Sequence, residues 1–145
     1  MKQIISKVNQ TQILHIIHRK EDFEKKRIDL INDDNFLQCS SIIGAADTIF
    51  EPHKHLWNEN NFNNRIAQEA WVVIKGAVEV FYYDINDSFI TSEIIKEGDV
   101  TITLGGGHSY KIIEDQTLIY EFKTGPYEGT EKDKVYIQSL KKPNT

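Results

Sequence analysis

Short runs of apolar and β-branched residues, separated by turn residues, follow one another along most of the chain. Where polar residues interleave, the apolar residues stand at every second position, which is the period of a strand with one buried face. Runs that recur about every 8–12 residues are typical of all-β sandwiches and barrels. We predict strands over 12–19, 27–31, 36–50, 69–85, 89–95, 99–104, 108–113 and 116–125.

Two glycines within these runs predict where the chain changes direction. Gly44 interrupts the run 36–50 and indicates a bulge or a bend. The pair Lys75-Gly76 divides the run 69–85 into two strands that meet at a hairpin-type turn. Helical patterns are scarce. The sequence predicts two helical turns or a polar loop over residues 20–26 and a single helical turn over 129–134. The Asn-rich stretch 56–64 is a loop.

Length and charge narrow the class of protein. With 145 residues, the chain is expected to fold as a single domain over 1–145. Its net charge of −5, without long runs of Lys or Arg, argues against a nucleic-acid partner. The single cysteine, Cys39, excludes a disulfide within the chain and is interpreted as a small buried hydrophobe. Neither a signal peptide nor an apolar stretch of about 18 residues is present. We therefore expect a cytoplasmic protein with no membrane partner.

Three separate runs carry side chains that suit a metal ion. His53 and His55 lie two positions apart, so they project from the same face of a strand. Glu69 opens an apolar run and shares a face with Trp71, and a buried carboxylate on that face needs a cationic partner. His108 follows three glycines in another run. The pattern predicts that these three histidines and Glu69 bind one divalent metal ion.

The spacing of these residues resembles the two sequence motifs of the cupin superfamily. The first motif reads G-x5-H-x-H-x(3,4)-E-x6-G, and the second reads G-x5-P-x-G-x2-H-x3-N. Thirteen residues separate His55 from Glu69, where the motif has three or four, and the Asn-rich loop between them has the composition of an insertion. The matching residues are His53, His55, Glu69 and Gly76 in the first motif, and Gly98, followed by Asp99, and His108 in the second.

The resemblance implies an all-β fold, a double-stranded β-helix or cupin jelly-roll barrel with minor short helices. The barrel would occupy about residues 35–125. It would enclose one divalent metal ion, Zn, Fe, Mn, Ni or Co, held by His53, His55, Glu69 and His108. Small cupins commonly pair, and the apolar strand 12–19 would otherwise expose a long β edge, so a homodimer is expected.

The resemblance leaves three functions open. The favoured one is a metal-dependent enzyme acting on a small molecule such as a sugar or nucleotide-sugar, with isomerase or epimerase chemistry, as in pathways of surface-polysaccharide biosynthesis. The first alternative is an Fe(II)-dependent dioxygenase. The second is a non-catalytic module that binds a small molecule. Oxygen consumption with Fe(II) would favour the dioxygenase over the other two.

Further residues are predicted to surround the metal. Tyr110 shares the face of His108 and is the candidate for catalytic proton transfer. Arg65 is either a substrate-binding anion anchor or a solvated loop residue. Trp71 either packs the barrel or lines the substrate-binding pocket. His15 and His18 have odd spacing and lie on opposite strand faces, so a structural role is expected for both.

Overall fold

The computed structural model describes residues 1–58 and 65–138, which are almost entirely β-structure. Two short helical turns interrupt the strands, a 3-10 turn at Lys20–Asp22 and α1 at Thr130–Asp133. The strands are β1 (Lys2–Ile5), β2 (Ile13–Ile17), β3 (Arg27–Asp29), β4 (Leu37–Gly44), β5 (Ile49–His55), β6 (Trp57–Asn58), β7 (Arg65–Ile66), β8 (Glu69–Lys75), β9 (Ala77–Tyr83), β10 (Phe89–Lys96), β11 (Val100–Thr103), β12 (Gly107–Ile112), β13 (Thr117–Thr124) and β14 (Lys134–Tyr136).

Ten of the described strands form two five-stranded antiparallel sheets. Their orders are β10-β9-β12-β5-β14 and β11-β8-β13-β4-β3. The two sheets pack as a β-sandwich and enclose the core, and the predicted all-β jelly-roll fold is confirmed. The core residues are Ile42, Trp71, Val73, Val78, Val80, Ile95, Tyr110, Ile112 and Ile119.

Strand β8 shows why the alternating pattern produces this arrangement. Its residues Glu69, Trp71 and Val73 are buried, and the residues between them are only partly buried. Burying a large apolar side chain contributes roughly 1.5–3 kcal/mol, so the inward orientation of Trp71 and Val73 fixes the face of the strand. The same alternation carries Glu69 into the interior at the first position of the strand.

The turn at Gly76 is not a hairpin, contrary to the sequence prediction. Strand β8 pairs with β11 and β13, whereas β9 pairs with β10 and β12 in the other sheet. Gly76 has a φ of +84°, and a Cβ at this position would meet the Thr117 hydroxyl. The glycine therefore allows the chain to turn a tight corner from one sheet to the other.

Strand β11 presents its polar residues to the interior. Thr101 and Thr103 are buried, whereas Val100 and Ile102 are exposed. The hydroxyl groups of Thr101 and Tyr82 form a hydrogen bond of 2.8 Å, which satisfies polar atoms inside the sandwich. Apolar and polar residues alternate along this strand in the sequence, but the apolar face is the one that points outward.

Short strands at the two ends of the described chain extend the expected architecture. Strand β1 pairs with β2 in a separate two-stranded sheet. Strands β3 and β14 lie outside 35–125, and each adds an outer strand to one of the large sheets. Cys39 is buried, in line with its interpretation as a small hydrophobe. Neither helical turn among the described residues is long or apolar enough to cross a membrane.

Candidate metal centre

The four predicted ligands converge inside the sandwich. His53 and His55 come from β5, and His108 comes from β12, where it lies opposite His53 in the antiparallel register. Glu69 comes from β8 of the facing sheet. All four residues are buried, and each offers a ligand atom within 4.8 Å of the others. The cluster therefore joins both sheets at one internal point.

The carboxylate of Glu69 bridges two of the imidazole rings. Its Oε2 lies 3.3 Å from Nε2 of His55, and its Oε1 lies 3.2 Å from Nε2 of His108. The ring of His53 packs against both other rings, with centroid distances of 4.5 Å to His108 and 5.2 Å to His55. Three nitrogen ligands and one carboxylate thus face a common centre.

The donor atoms of this cluster fit a metal ion. Both ring nitrogens of His55 and of His108 are buried, and their contacts with the carboxylates of Glu69 and Asp133, at 3.2–3.4 Å, lack hydrogen-bond geometry. Unsatisfied buried polar atoms are costly, and a metal ion satisfies such nitrogens directly. Bonds of 2.0–2.2 Å place two ligands of one ion at most about 4.4 Å apart. Movements of a few tenths of an ångström would bring all four ligand atoms within bonding distance.

Backbone and side-chain contacts orient two of the imidazole rings. Nδ1 of His53 donates a 2.8 Å hydrogen bond to the carbonyl of Glu51, so the lone pair lies on Nε2, which Nζ of Lys134 approaches to 3.4 Å. Nδ1 of His55 lies 3.4 Å from Oδ2 of Asp133, so Nε2 of that ring faces Glu69. A carboxylate behind a metal-binding histidine is a common outer contact that fixes the ring and its tautomer.

Asp133 was not predicted from the sequence. It is the last residue of the helical turn α1, and it belongs to neither of the two cupin sequence motifs. Strand β14 follows it directly and pairs Lys134 with His55, which brings the carboxylate to the back of the imidazole ring. Asp133 also pairs with Lys123 at 2.8 Å. Only the pairing of β14 with β5 reveals this residue as part of the site.

The titratable groups of the site influence each other strongly. Burial, together with the charges of His108 and Lys134, lowers the pKa of His53 to about 3. Burial also acts to lower the pKa of His55, but the carboxylates of Asp133 and Glu69 outweigh it and raise that pKa to about 9. Burial alone would raise the pKa of Glu69, yet the neighbouring imidazoles hold it well below its usual value. The carboxylate of Glu69 is therefore ionised and ready to bind a cation.

A cavity of about 290 Å³ opens next to the cluster. Trp71 and Tyr110 form part of its wall and stack face to face, with ring centroids 3.8 Å apart. The hydroxyl group of Tyr110 is buried without a hydrogen-bond partner among the described residues. Burial and the charge of Glu69 raise its pKa well above the usual value, so the hydroxyl keeps its proton. Trp71 thus contributes both to the core and to the pocket wall.

The remaining predicted residues lie elsewhere. The backbone of Arg65 pairs with Asn58 in the short β6–β7 sheet, but its side chain lies outside the described parts of the structure. His15 is exposed on β2, away from the cluster. His18 contacts Tyr120 through a 2.8 Å hydrogen bond between Nδ1 and the hydroxyl group. Neither histidine joins the cluster. The contact with Tyr120 gives His18 a structural role, and a structural role for His15 stays a prediction.

Several solved structures share this fold. KdgF from a Halomonas species aligns with a TM-score of 0.54 and 18% identity, over 77% of this chain and 90% of its own. The capsular polysaccharide assembling protein CapF of Staphylococcus aureus aligns with a TM-score of 0.60 and 14% identity, over 79% of this chain and 31% of its own. Oxalate decarboxylase of Bacillus subtilis, which has Mn(II) centres, aligns with a TM-score of 0.54 and 18% identity, over 70% of this chain and 24% of its own.

These similarities concern the fold. The chain spans about a third or less of the CapF and oxalate decarboxylase chains, and it spans most of KdgF. No protein-family model and no curated protein sequence matches this chain.

Proposed function

Because this chain has the cupin fold and gathers three histidines and a glutamate inside it, we propose that it is a metal-dependent enzyme that acts on a small sugar-like molecule. The reaction class is isomerisation or epimerisation at a carbon next to a carbonyl group. The observation that carries this proposal is the buried cluster of His53, His55, Glu69 and His108 beside the cavity of about 290 Å³.

The size of the cavity supports a small substrate. Ligand pockets usually enclose about 300–1,000 Å³, and this one is at the lower end of that range. A single sugar ring fits such a volume, and the nucleotide part of a nucleotide-sugar would remain outside it. The similarity to CapF, a capsular polysaccharide assembling protein, supports the sugar class.

The metal would be held by His53, His55, Glu69 and His108, and we expect Zn, Fe, Mn, Ni or Co. When bound, such an ion supplies Lewis-acid polarisation of a carbonyl or hydroxyl oxygen. Glu69 contributes the only negative charge of the ligand set, and all four side chains are buried. The ligand set thereby defines where the polar end of the substrate lies.

Tyr110 is the residue that we assign to proton transfer. Tyr110 belongs to the pocket lining, and its buried hydroxyl group forms no hydrogen bond with another described residue, so we expect it to hydrogen-bond a substrate oxygen. The stacked ring of Trp71 holds the phenol in one orientation, since the two rings are parallel within 1°. Tyr110 can therefore hold a proton at the phenolic oxygen beside the reacting group.

A second function is favoured by the ligand set itself. Three histidines and one glutamate leave two positions of a six-coordinate ion open, which suits an Fe(II) dioxygenase as well as an isomerase. The two functions differ in their need for oxygen. A non-catalytic binding module would share the metal and the pocket but would turn over no substrate.

The test begins with elemental analysis of protein purified without chelator. Metal-loaded protein is then incubated with a panel of sugars in D2O, and NMR follows the exchange of the proton next to the carbonyl group. We expect exchange that Tyr110→Phe slows by about 10²–10⁴-fold without loss of metal. Tyr83→Phe, outside the pocket wall, is the control. Oxygen consumption with the Fe(II) form and no proton exchange would establish the dioxygenase instead.

A further inference from the structure

The lone pair on Nε2 of His53 has a hydrogen-bond donor within the chain itself. Nζ of Lys134 lies 3.4 Å from this nitrogen, and Nδ1 of the same ring donates its hydrogen to the carbonyl of Glu51. Nε2 is therefore the acceptor, and the ammonium group is the donor. Lys134 forms no ion pair with a carboxylate among the residues that the structure describes, so this contact is its main polar interaction there.

Strand β14 carries Lys134 to the centre. It pairs with β5, so that Lys134 lies opposite His55 and Tyr136 lies opposite His53. It is also the outer strand of its sheet, and Lys134 lines the cavity of about 290 Å³. The long, flexible side chain can therefore turn away from His53 into the cavity without any change in strand pairing.

A metal ion and the ammonium group of Lys134 cannot share this nitrogen. A neutral imidazole offers one lone pair, and both a hydrogen-bond donor and a metal ion approach along it. An ion bound to Nε2 would lie about 2.0–2.1 Å from it, inside the 3.4 Å that separates Nε2 from Nζ. The two cations also repel each other, because the single carboxylate of Glu69 leaves a divalent ion with a net positive charge.

Two adjacent residues thus act on the centre with opposite charge. Asp133 brings a carboxylate to within 3.4 Å of Nδ1 of His55, behind the side of the ring that faces the cluster, and so favours a bound ion. Lys134 brings an ammonium group to Nε2 of His53, on the side where an ion would bind. This placement makes Lys134 a competitor of the ion, whereas Asp133 supports a ligand from outside.

We propose that Lys134 competes with the metal ion for the lone pair of His53, so that it lowers the metal affinity and leaves the centre when an ion binds. This inference rests on the proposed metal-dependent function and adds a self-inhibitory contact to it. In the metal-free protein the lysine satisfies a nitrogen of a buried side chain. Only an ion that binds imidazole tightly enough displaces it.

The first test measures the affinity for Zn(II) by titration against a competing chelator. We expect Lys134→Met to bind Zn(II) about 10-fold more tightly than the wild type, because no hydrogen bond from a charged donor has to be broken. Lys134→Arg keeps the positive charge and should bind no more tightly than the wild type. Lys132→Met is the matched control, because it removes the same charge from an exposed position of α1 and should leave the affinity unchanged.

The second test needs no variant. A limiting amount of acetic anhydride acetylates lysines according to their accessibility, and mass spectrometry of the peptides gives the extent at each position. We expect Zn(II) to increase the acetylation of Lys134 severalfold over that in the metal-free protein, because the ion releases the ammonium group from His53. Lys132, which is exposed on α1, should be acetylated equally in both forms.

The two tests separate this inference from the function on which it rests. Equal Zn(II) affinity of the wild type and Lys134→Met, or weaker binding by the variant, would overturn the competition and leave the metal centre standing. Acetylation of Lys134 that does not change with Zn(II) would overturn it as well. Failure of both proteins to take up Zn(II) would overturn the proposed metal-dependent function together with this inference.

Discussion

Asp133 and His55 meet behind the metal-binding face of the imidazole ring, with Oδ2 of the carboxylate 3.4 Å from Nδ1. The same ring directs Nε2 towards Glu69 at 3.3 Å. One residue outside the ligand set thus controls the orientation of a residue inside it. Such outer carboxylates typically contribute 10- to 100-fold to metal affinity.

Asp133→Asn is therefore expected to weaken metal binding by about 10- to 100-fold while the four ligands remain in place. The amide keeps the size of the side chain but loses the charge that holds the imidazole N–H. Titration with a metal-sensitive competing chelator measures the affinity. Glu131→Gln, on the exposed side of the same helical turn, should leave it unchanged. Similar affinities for all three proteins would contradict the orienting role of Asp133.

Replacing each histidine of the cluster tests the ligand set itself. We expect His53→Ala, His55→Ala and His108→Ala each to lower the bound metal sharply, because each removes one of four ligands. His15→Ala is the control, since this exposed histidine lies on β2 outside the cluster. Elemental analysis of the purified proteins gives the metal content. The assignment fails if all four variants carry as much metal as the wild type.

Glu69→Gln should cost more stability with metal than with chelator. Metal bound to the native state adds RT ln(1 + [L]/Kd), about 2.7 kcal/mol at a concentration 100 times Kd, and the weaker ligand reduces this gain. In chelator, the variant still loses the buried contacts of the carboxylate with His55 and His108, so we expect a loss of stability there too, which is smaller because no bound metal is lost with it.

Thermal unfolding with metal and with chelator measures both states of the Glu69 variant. Glu97→Gln, an exposed glutamate, is the control and should behave as the wild type in both. An equal loss of stability with metal and with chelator would make Glu69 a structural residue and reduce the ligand set to three histidines.

The homodimer stays a prediction. Strand β2 pairs only with β1 among the described strands, and its residues Ile13 and Leu14 are about half exposed. Light scattering at tens of micromolar protein should give twice the chain mass of 16.8 kDa. Leu14→Glu should shift the protein towards monomer if this strand forms the interface. A monomer mass for the wild type would refute the prediction.

The cluster of four candidate ligands could be predicted from the sequence because strand parity and motif spacing both act over short distances. His53 and His55 lie on one strand, and Glu69 begins another, so their faces follow from alternation. The contribution of Asp133 and Lys134 could not be predicted in this way. Strand β14 has only three residues, too few for a periodic pattern, and its partner is about 80 positions away in the chain.

Two features of the fold show the same limit. The turn at Gly76 follows from its glycine, but whether the next strand stays in the same sheet depends on partners distant in sequence. The alternation of β11 likewise fixes which residues share a face, not which face is buried. A register shift of one residue would exchange the two faces, and the hydrogen bond between the hydroxyl groups of Thr101 and Tyr82 favours burial of the threonine face.

The position of β14 in the chain has a consequence for how the protein becomes active during its synthesis. On the ribosome, β5, β8 and β12 emerge before β14, so the four metal ligands can assemble while Asp133 and Lys134 are still being added. A nascent chain therefore gains the four clustered side chains before it gains the residue that orients His55. Loss of this late strand through a premature stop would leave a sandwich whose cluster lacks that support.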